Sequence, residues 1–254
     1  MTNFHLVQSN LVWEHIEANL ERLENQISGI RTGAIILPEL FSTGFSMNSA
    51  NLAESMTGKA VVWLTKQATQ KRVYIGGSII IAENGRYFNR FVWVSPDASI
   101  TTYDKRHLFR MAGEHRHYSS GSDQVQFGID NMQLRPQVCY DLRFPAWSRN
   151  TTGYDALVYV ANWPAARRQQ WMTLLQARAI ENQSYVIAVN RVGKDGNDIK
   201  YEGDSCVIGP WGNYLLKMDA EERVSSVDLD LVALREYRES FPVHLDADIL
   251  DIKA

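Results

Sequence analysis

The feature that most constrains this chain is an alternation of short apolar runs with segments of helical period, sustained almost from end to end. "FHLVQ" (4–8), "GAIILPEL" (33–40), which ends at a proline, and "ALVYVANW" (156–163) read as strands, as do "SYVIAVNRVG" (184–193) and "SCVIGPWGN" (205–213), bounded by Gly-rich turns. Ile16, Leu20, Leu23, Ile27 and Ile30 recur at spacings of three and four, one face of a helix, and 60–71 and 167–183 are further helix candidates. "VYIGGSIIIAENGRYFNRFVWVSP" (73–96) is two strands around Asn84-Gly85, a strong hairpin signal. "ITTYDKRHLF" (100–109) and "VSSVDLDL" (224–231) are extended, and a charged segment follows the latter. Pro136 is awkward for a central strand, so the run entering residue 139 is expected to begin after it or to carry a bulge. Hairpins mixed with strand–helix alternation predict an α/β layered fold with mixed sheets. With no linker, repeat or low-complexity tract, residues 1–254 are expected to form one domain.

Composition narrows the function classes. A chain 45% hydrophobic and 22% charged is ordinary globular material with enough length for a large core. A net charge of -3 gives no basic field for nucleic acid or an anionic membrane. No apolar run nears the ~20 residues of a membrane span, and the N-terminus lacks a signal-peptide pattern. Two cysteines without CxxC spacing offer neither a disulfide framework nor a zinc knuckle and suit a reducing cytoplasm.

One of those cysteines stands apart. In "QVCYDLRFP" (137–145), Cys139 lies where a strand stops. Glu39 ends another strand after "AIILP", and Lys105 in "TYDKRHL" follows a third extended run. Sites in open α/β sheets form outside the carboxyl ends of strands, where these three can converge. A lysine ammonium favours the thiolate, and a carboxylate can take the thiol proton. The sulfur can then attack an amide carbonyl, with Lys105 and the Tyr140 backbone N–H stabilising the oxyanion. Glu39 would pass its proton to the leaving ammonia and then activate water against the thioester. Each residue alone has a plainer role: a core thiol for Cys139, a helix-start carboxylate for Glu39, a solvated charge for Lys105. His107, His115 and His117 lack zinc-ligand spacing, and no metal or cofactor is expected.

"LPE" with "TGF" nearby, "YDKRHLF", "CYDLRFP" and "RAIENQ", in that order, resemble the nitrilase (carbon–nitrogen hydrolase) superfamily over about residues 4 to 240. The resemblance implies an αββα four-layer sandwich, a Glu39–Lys105–Cys139 triad, a second glutamate matched by Glu114 in "GEHRHYSSG", and a homodimer paired through a helical face. Within the superfamily, "KRHLFRMAGEH" and the stretch from Ala161 to Gly193 are most similar to bacterial omega-amidases, implying small dicarboxylic acid monoamides such as 2-oxoglutaramate and succinamate as substrates. Deaminated-glutathione amidase, N-carbamoyl amidohydrolase and nitrilase activities share the triad, and a catalytically silent dimeric scaffold is the rival of another class.

Among residues near the site, Trp163 is expected to wall the pocket because it ends a strand on the same edge. Phe45 is a candidate wall too, although it and Trp171 are more often core aromatics. Cys206 reads as a core cysteine. Arg143, Arg178 and Glu181 read as structural ion-pair residues, the last two facing each other at i, i+3. A carboxylated substrate needs a cationic partner. Arg167, where the long helix begins, is the expected anchor; Arg168 is expected to be solvated, with Arg110 and Arg116 as the other candidates.

Overall fold

The computed structural model describes residues 1–248; residues 249–254, the end of the expected domain, lie outside the described residues. The first half supplies β1 (Thr2–Gln8), β2 (Ala34–Ile36), β3 (Tyr74–Glu83), β4 (Arg86–Val94) and β5 (Ile100–Asp104), with helices α1 (Ile16–Gln26), α2 (Ser49–Leu52) and α3 (Lys59–Lys71). The second half supplies β6 (Phe127–Ile129), β7 (Met132–Val138), β8 (Ala156–Ala161), β9 (Tyr185–Asn190), β10 (Val192–Lys194), β11 (Lys200–Glu202), β12 (Cys206–Ile208), β13 (Tyr214–Lys217) and β14 (Arg223–Leu229). Its helices are α4 (Pro145–Ser148), α5 (Arg168–Asn182) and α6 (Leu231–Ser240).

Two six-stranded mixed sheets run β14-β1-β2-β3-β4-β5 and β13-β12-β9-β8-β7-β6, with β10–β11 as a separate ribbon. Each has three parallel strands, β1–β2–β3 or β7–β8–β9, flanked by antiparallel ones. Alternate residues explain the layering, because successive strand side chains point to opposite faces. Ala34, Ile36, Phe91 and Trp93 of the first sheet meet Val138, Val158, Val160 and Ile187 of the second in one buried core. Ile35, Ile75 and Val92 turn the other way onto Leu23 of α1 and Ala60, Leu64 and Ala68 of α3. Leu157, Tyr159, Val186 and Ala188 turn onto Trp171, Leu175 and Ala179 of α5. The result is an αββα sandwich with mixed sheets, in which each fully buried large apolar side chain contributes about 1.5–3 kcal/mol. Strands covered on both faces are expected to read as continuous apolar runs, as β2, β8 and β9 do.

The Asn84-Gly85 hairpin forms as expected, with both residues at positive φ (51° and 72°). Other expectations shift. The first helix stops at Gln26, so Ile27 caps it and Ile30 lies beyond it, and "SCVIGPWGN" is the short β12 followed by a turn. Pro136 stands inside β7, which neither begins after it nor bulges: it pairs with Val158 of β8, while β6 ends opposite Leu134. β7 therefore has a ladder on only one side at the proline. No helix among the described residues is long and apolar enough to cross a membrane.

Candidate active site

Four strand ends open at one mouth. Glu39 follows β2, Lys105 follows β5, Cys139 follows β7, and Asn162 with Trp163 follows β8. β3 holds the Glu39 segment, since Leu37 N–H donates to Gly76 O (2.7 Å) and Leu40 N–H to Ser78 Oγ (2.9 Å). Lys105 continues the ladder of β5, donating its N–H to Asn89 O (3.0 Å) and accepting from Gly121 N–H (3.0 Å). Gly121 must be glycine there, because a Cβ would fall 2.3 Å from Asp104 O.

Glu39, Lys105 and Glu114 are all fully buried. Lys105 Nζ lies 2.9 Å from Glu39 Oε1 and 2.9 Å from Glu114 Oε1. Asn89 Nδ2 donates to Glu39 Oε1 (2.8 Å), and the Asn162 backbone N–H donates to Glu39 Oε2 (2.7 Å). Glu114 also caps its own loop, accepting from Phe109 N–H at 2.5 Å. The ammonium lies 5.1 Å from the centre of the Phe45 ring. Burial pulls the Lys105 ammonium down, but Glu114 and Glu39 outweigh it and hold its pKa well above the ordinary lysine range. Burial also raises the Glu114 carboxyl, opposed by Lys105 and assisted by Glu39.

Cys139 keeps part of its surface towards a cavity, and its backbone turns out of β7 at φ 46°, a left-handed conformation that a non-glycine residue adopts only under constraint. Desolvation, then the Glu39 carboxylate, push its thiol well above the ordinary range; Lys105 pulls the other way and loses. The expected pull of the lysine towards the thiolate is present but outweighed. Two carboxylates surround one ammonium, so the local field opposes another negative charge.

The cavity, about 330 Å³, is lined by Lys105, Cys139, Phe45, Phe109, Tyr140 and Trp163, with Arg143 and Arg167 among the other lining residues. Trp163 N–H bonds Asn190 Oδ1 (2.8 Å) and its indole N–H bonds Arg167 O (2.7 Å), fixing that wall. Trp171 is core, as expected. Arg143 lies over the Trp163 ring (5.0 Å) and Arg167 over the Phe109 ring (5.2 Å); neither makes an ion pair among the described residues. Arg143 thus departs from its expected structural pairing: the turn after Cys139 carries it into the cavity. Arg178 does pair with Glu181 (2.8 Å), and it braces the cysteine turn through Leu142 O (2.7 Å). Arg168 is exposed, as expected, and also holds Asp204 by two bonds, 2.5 and 2.7 Å. Arg110 and Arg116 are exposed and do not line the cavity. The far wall, Asp195, Asn197, Ile199 and Tyr201 of the β10–β11 ribbon, was not anticipated. Asp195 is taken up by its own turn, accepting from Asn197 N–H (2.8 Å), Ile199 N–H (3.0 Å) and Tyr201 OH (2.8 Å). Cys206 is fully buried in β12.

A four-layer sandwich with a buried Glu–Lys–Glu network beside a thiol is the arrangement that the resemblance to the carbon–nitrogen hydrolases implied. The carbon–nitrogen hydrolase family profile matches residues 6–239, and the chain belongs to that family. The chain is 48% identical to the omega-amidase YafV of Escherichia coli K12, over 96% of this chain and 95% of that protein. It is 37% identical to the 2-oxoglutaramate amidase of Bacillus subtilis, over 84% and 83% of the two chains. A crystal structure of XC1258 from Xanthomonas campestris, a CN-hydrolase superfamily protein with an arsenic adduct in its active site, superposes with a TM-score of 0.97 at 38% identity, covering 99% of each chain.

Proposed function

We propose that the protein is a thiol amidohydrolase of the omega-amidase type, cleaving the distal amide of small dicarboxylic acid monoamides such as 2-oxoglutaramate and succinamate and releasing ammonia. The omega-amidase and 2-oxoglutaramate amidase relatives support the substrate class. The observation that carries it is the pairing, in one cavity, of Cys139 and Lys105, backed by the buried Glu39, with two guanidiniums that lack carboxylate partners among the described residues.

In the proposed reaction Glu39 removes the proton of a neutral Cys139 thiol as the sulfur attacks the amide carbon. Lys105 Nζ and the Tyr140 N–H receive the developing oxyanion. The proton on Glu39 passes to the leaving nitrogen, ammonia departs, and a thioester to Cys139 remains. Glu39 then takes a proton from water, whose oxygen attacks the thioester; the sulfur leaves with that proton and the free carboxylic acid is released. Glu114 keeps Lys105 charged and in place. Arg167 and Arg143 hold the distant carboxylate, for which a guanidinium gives a planar two-point match, while Phe45 and Trp163 pack against the chain between. The proposal treats 1–254 as one domain, acting as a cytoplasmic homodimer without a cofactor. The exposed Trp211 and Phe241, clustered with Tyr237, support association, which light scattering tests.

The deciding assay is ammonia release from succinamate, 2-oxoglutaramate, deaminated glutathione, N-carbamoyl amines and simple nitriles. Highest kcat/KM on the first two supports the proposal; preference for a nitrile or a carbamoyl amine overturns its substrate class.

A further inference from the structure

We propose that Asp141 is a positioning residue that fixes the nucleophile turn relative to Lys105. The proposal rests on the roles given above to Cys139 and Lys105. Asp141 is fully buried, and its one charged-type neighbour within ion-pair distance among the described residues is His107. Its carboxylate takes four donors. Oδ2 accepts from Val138 N–H (2.9 Å) and Tyr103 OH (2.8 Å). Oδ1 accepts from His107 N–H (2.9 Å) and lies 2.8 Å from His107 Nδ1.

The sequence positions of these donors give the carboxylate its meaning. Val138 and Asp141 bracket Cys139, so the bond between them closes the turn that holds Cys139 at φ 46°. Tyr103 and His107 lie two residues either side of Lys105. One side chain therefore ties the segment carrying the thiol to the segment carrying the ammonium. Tyr103 OH is itself fixed, accepting from Trp147 Nε1 (3.0 Å) and Arg106 N–H (3.3 Å). Burial, with Asp141 beside it, pushes the Tyr103 phenol well above its usual range, so it stays a donor. A fully buried carboxylate is retained only where such donors satisfy it, and here all four belong to segments adjoining reactive residues.

Asp141→Asn tests this sharply. The amide keeps the shape but turns one acceptor into a donor. Each carboxylate oxygen faces a backbone N–H that can only donate, Val138 on one side and His107 on the other, so either orientation breaks one tether. Misplacement of about 1 Å can cost ~10²-fold. Asp141→Asn should therefore lower kcat by about that factor, with KM within roughly threefold of wild type. Tyr103→Phe removes one donor and should lower kcat about tenfold with KM unchanged. The double variant should lose less than the product of the two single losses, as residues of one network do. Measurements use the full chain, far below its melting temperature, with folding checked by circular dichroism.

A folded Asp141→Asn with wild-type kcat, a loss confined to KM, or single losses that multiply would overturn the proposal. If Asp141→Asn does not fold, Tyr103→Phe decides alone, and wild-type kcat there overturns it. The proposed chemistry is tested separately: an active Cys139→Ala removes the nucleophile role, whereas an inactive Cys139→Ala beside a wild-type-like Asp141→Asn removes only this inference.

Discussion

Cys139 and Cys206 carry the same thiol in two regions of one sheet system. Cys206 lies inside β12, paired with Ala188 of β9 and Lys217 of β13, and burial followed by the Asp204 carboxylate raises its pKa. Cys139 lies one residue past the end of β7, and burial followed by the Glu39 carboxylate raises its pKa too. A raised thiol pKa therefore does not distinguish the proposed nucleophile from the core cysteine in this protein. What differs is the surroundings: an adjacent carboxylate to take the proton, an ammonium held 2.9 Å from two carboxylates, and a cavity to admit a substrate. Cys206 has a carboxylate near it too, but Asp204 is held by Arg168, and Cys206 does not line the cavity.

The comparison is sharpened most by removing each sulfur in turn. Cys139→Ala should abolish ammonia release while leaving the melting curve near wild type; retained turnover would erase the distinction between the two thiols. Next come the groups that act on the sulfur. Glu39→Gln and Lys105→Ala should each lower kcat by ~10²–10⁴-fold. Glu39→Gln should also make Cys139 easier to ionise, because it deletes a negative charge that holds the thiol up. Wild-type alkylation by iodoacetamide should be slow at neutral pH and rise with pH beyond the ordinary thiol range; the Glu39→Gln profile should shift to lower pH while turnover falls. A wild-type rate that is fast and flat down to pH 6 would mean a resting thiolate.

Smaller effects follow at the periphery. Glu114→Ala should cost roughly 10–10²-fold in kcat by releasing Lys105 and the Phe109 loop; wild-type kinetics would reduce Glu114 to a loop carboxylate. Arg167→Met and Arg143→Met should each lower the kcat/KM ratio of succinamate to a neutral amide of similar size by about tenfold, the worth of a charge-assisted hydrogen bond. An unchanged ratio in both would remove the two guanidiniums from substrate binding. Cys206→Ala should change turnover less than about twofold and cost ~1 kcal/mol of stability, the expected price of a small core deletion.

Much of this was legible in the sequence because strand ends are. The apolar runs before Glu39 and Cys139 stop where the packed sheet stops, so residues just beyond must lie at a sheet edge. Asn84-Gly85 announced its turn because two positive φ values suit few other pairs. What stayed hidden depends on long-range packing. Asn89, midway along β4 in "YFNRF", bonds a carboxylate fifty positions away, and only its polarity inside a buried strand signals it. Arg143 looked like an ion-pair residue because no local pattern tells whether a turn aims a side chain at solvent or cavity. The balance at the resting thiol was not legible because it depends on counting both buried carboxylates against one ammonium. Pro136 was misread because the sequence does not reveal that β6 ends opposite Leu134.

The most direct test of the central claim is mass spectrometry of the intact chain and its peptides during turnover of a slow omega-amide substrate. A thioester mechanism at Cys139 predicts an acyl adduct on the peptide containing residues 137–145, at most one per chain, accompanied by stoichiometric ammonia and absent from Cys139→Ala. An adduct on Cys206, or ammonia release in single-turnover conditions with no covalent species on Cys139, would contradict it.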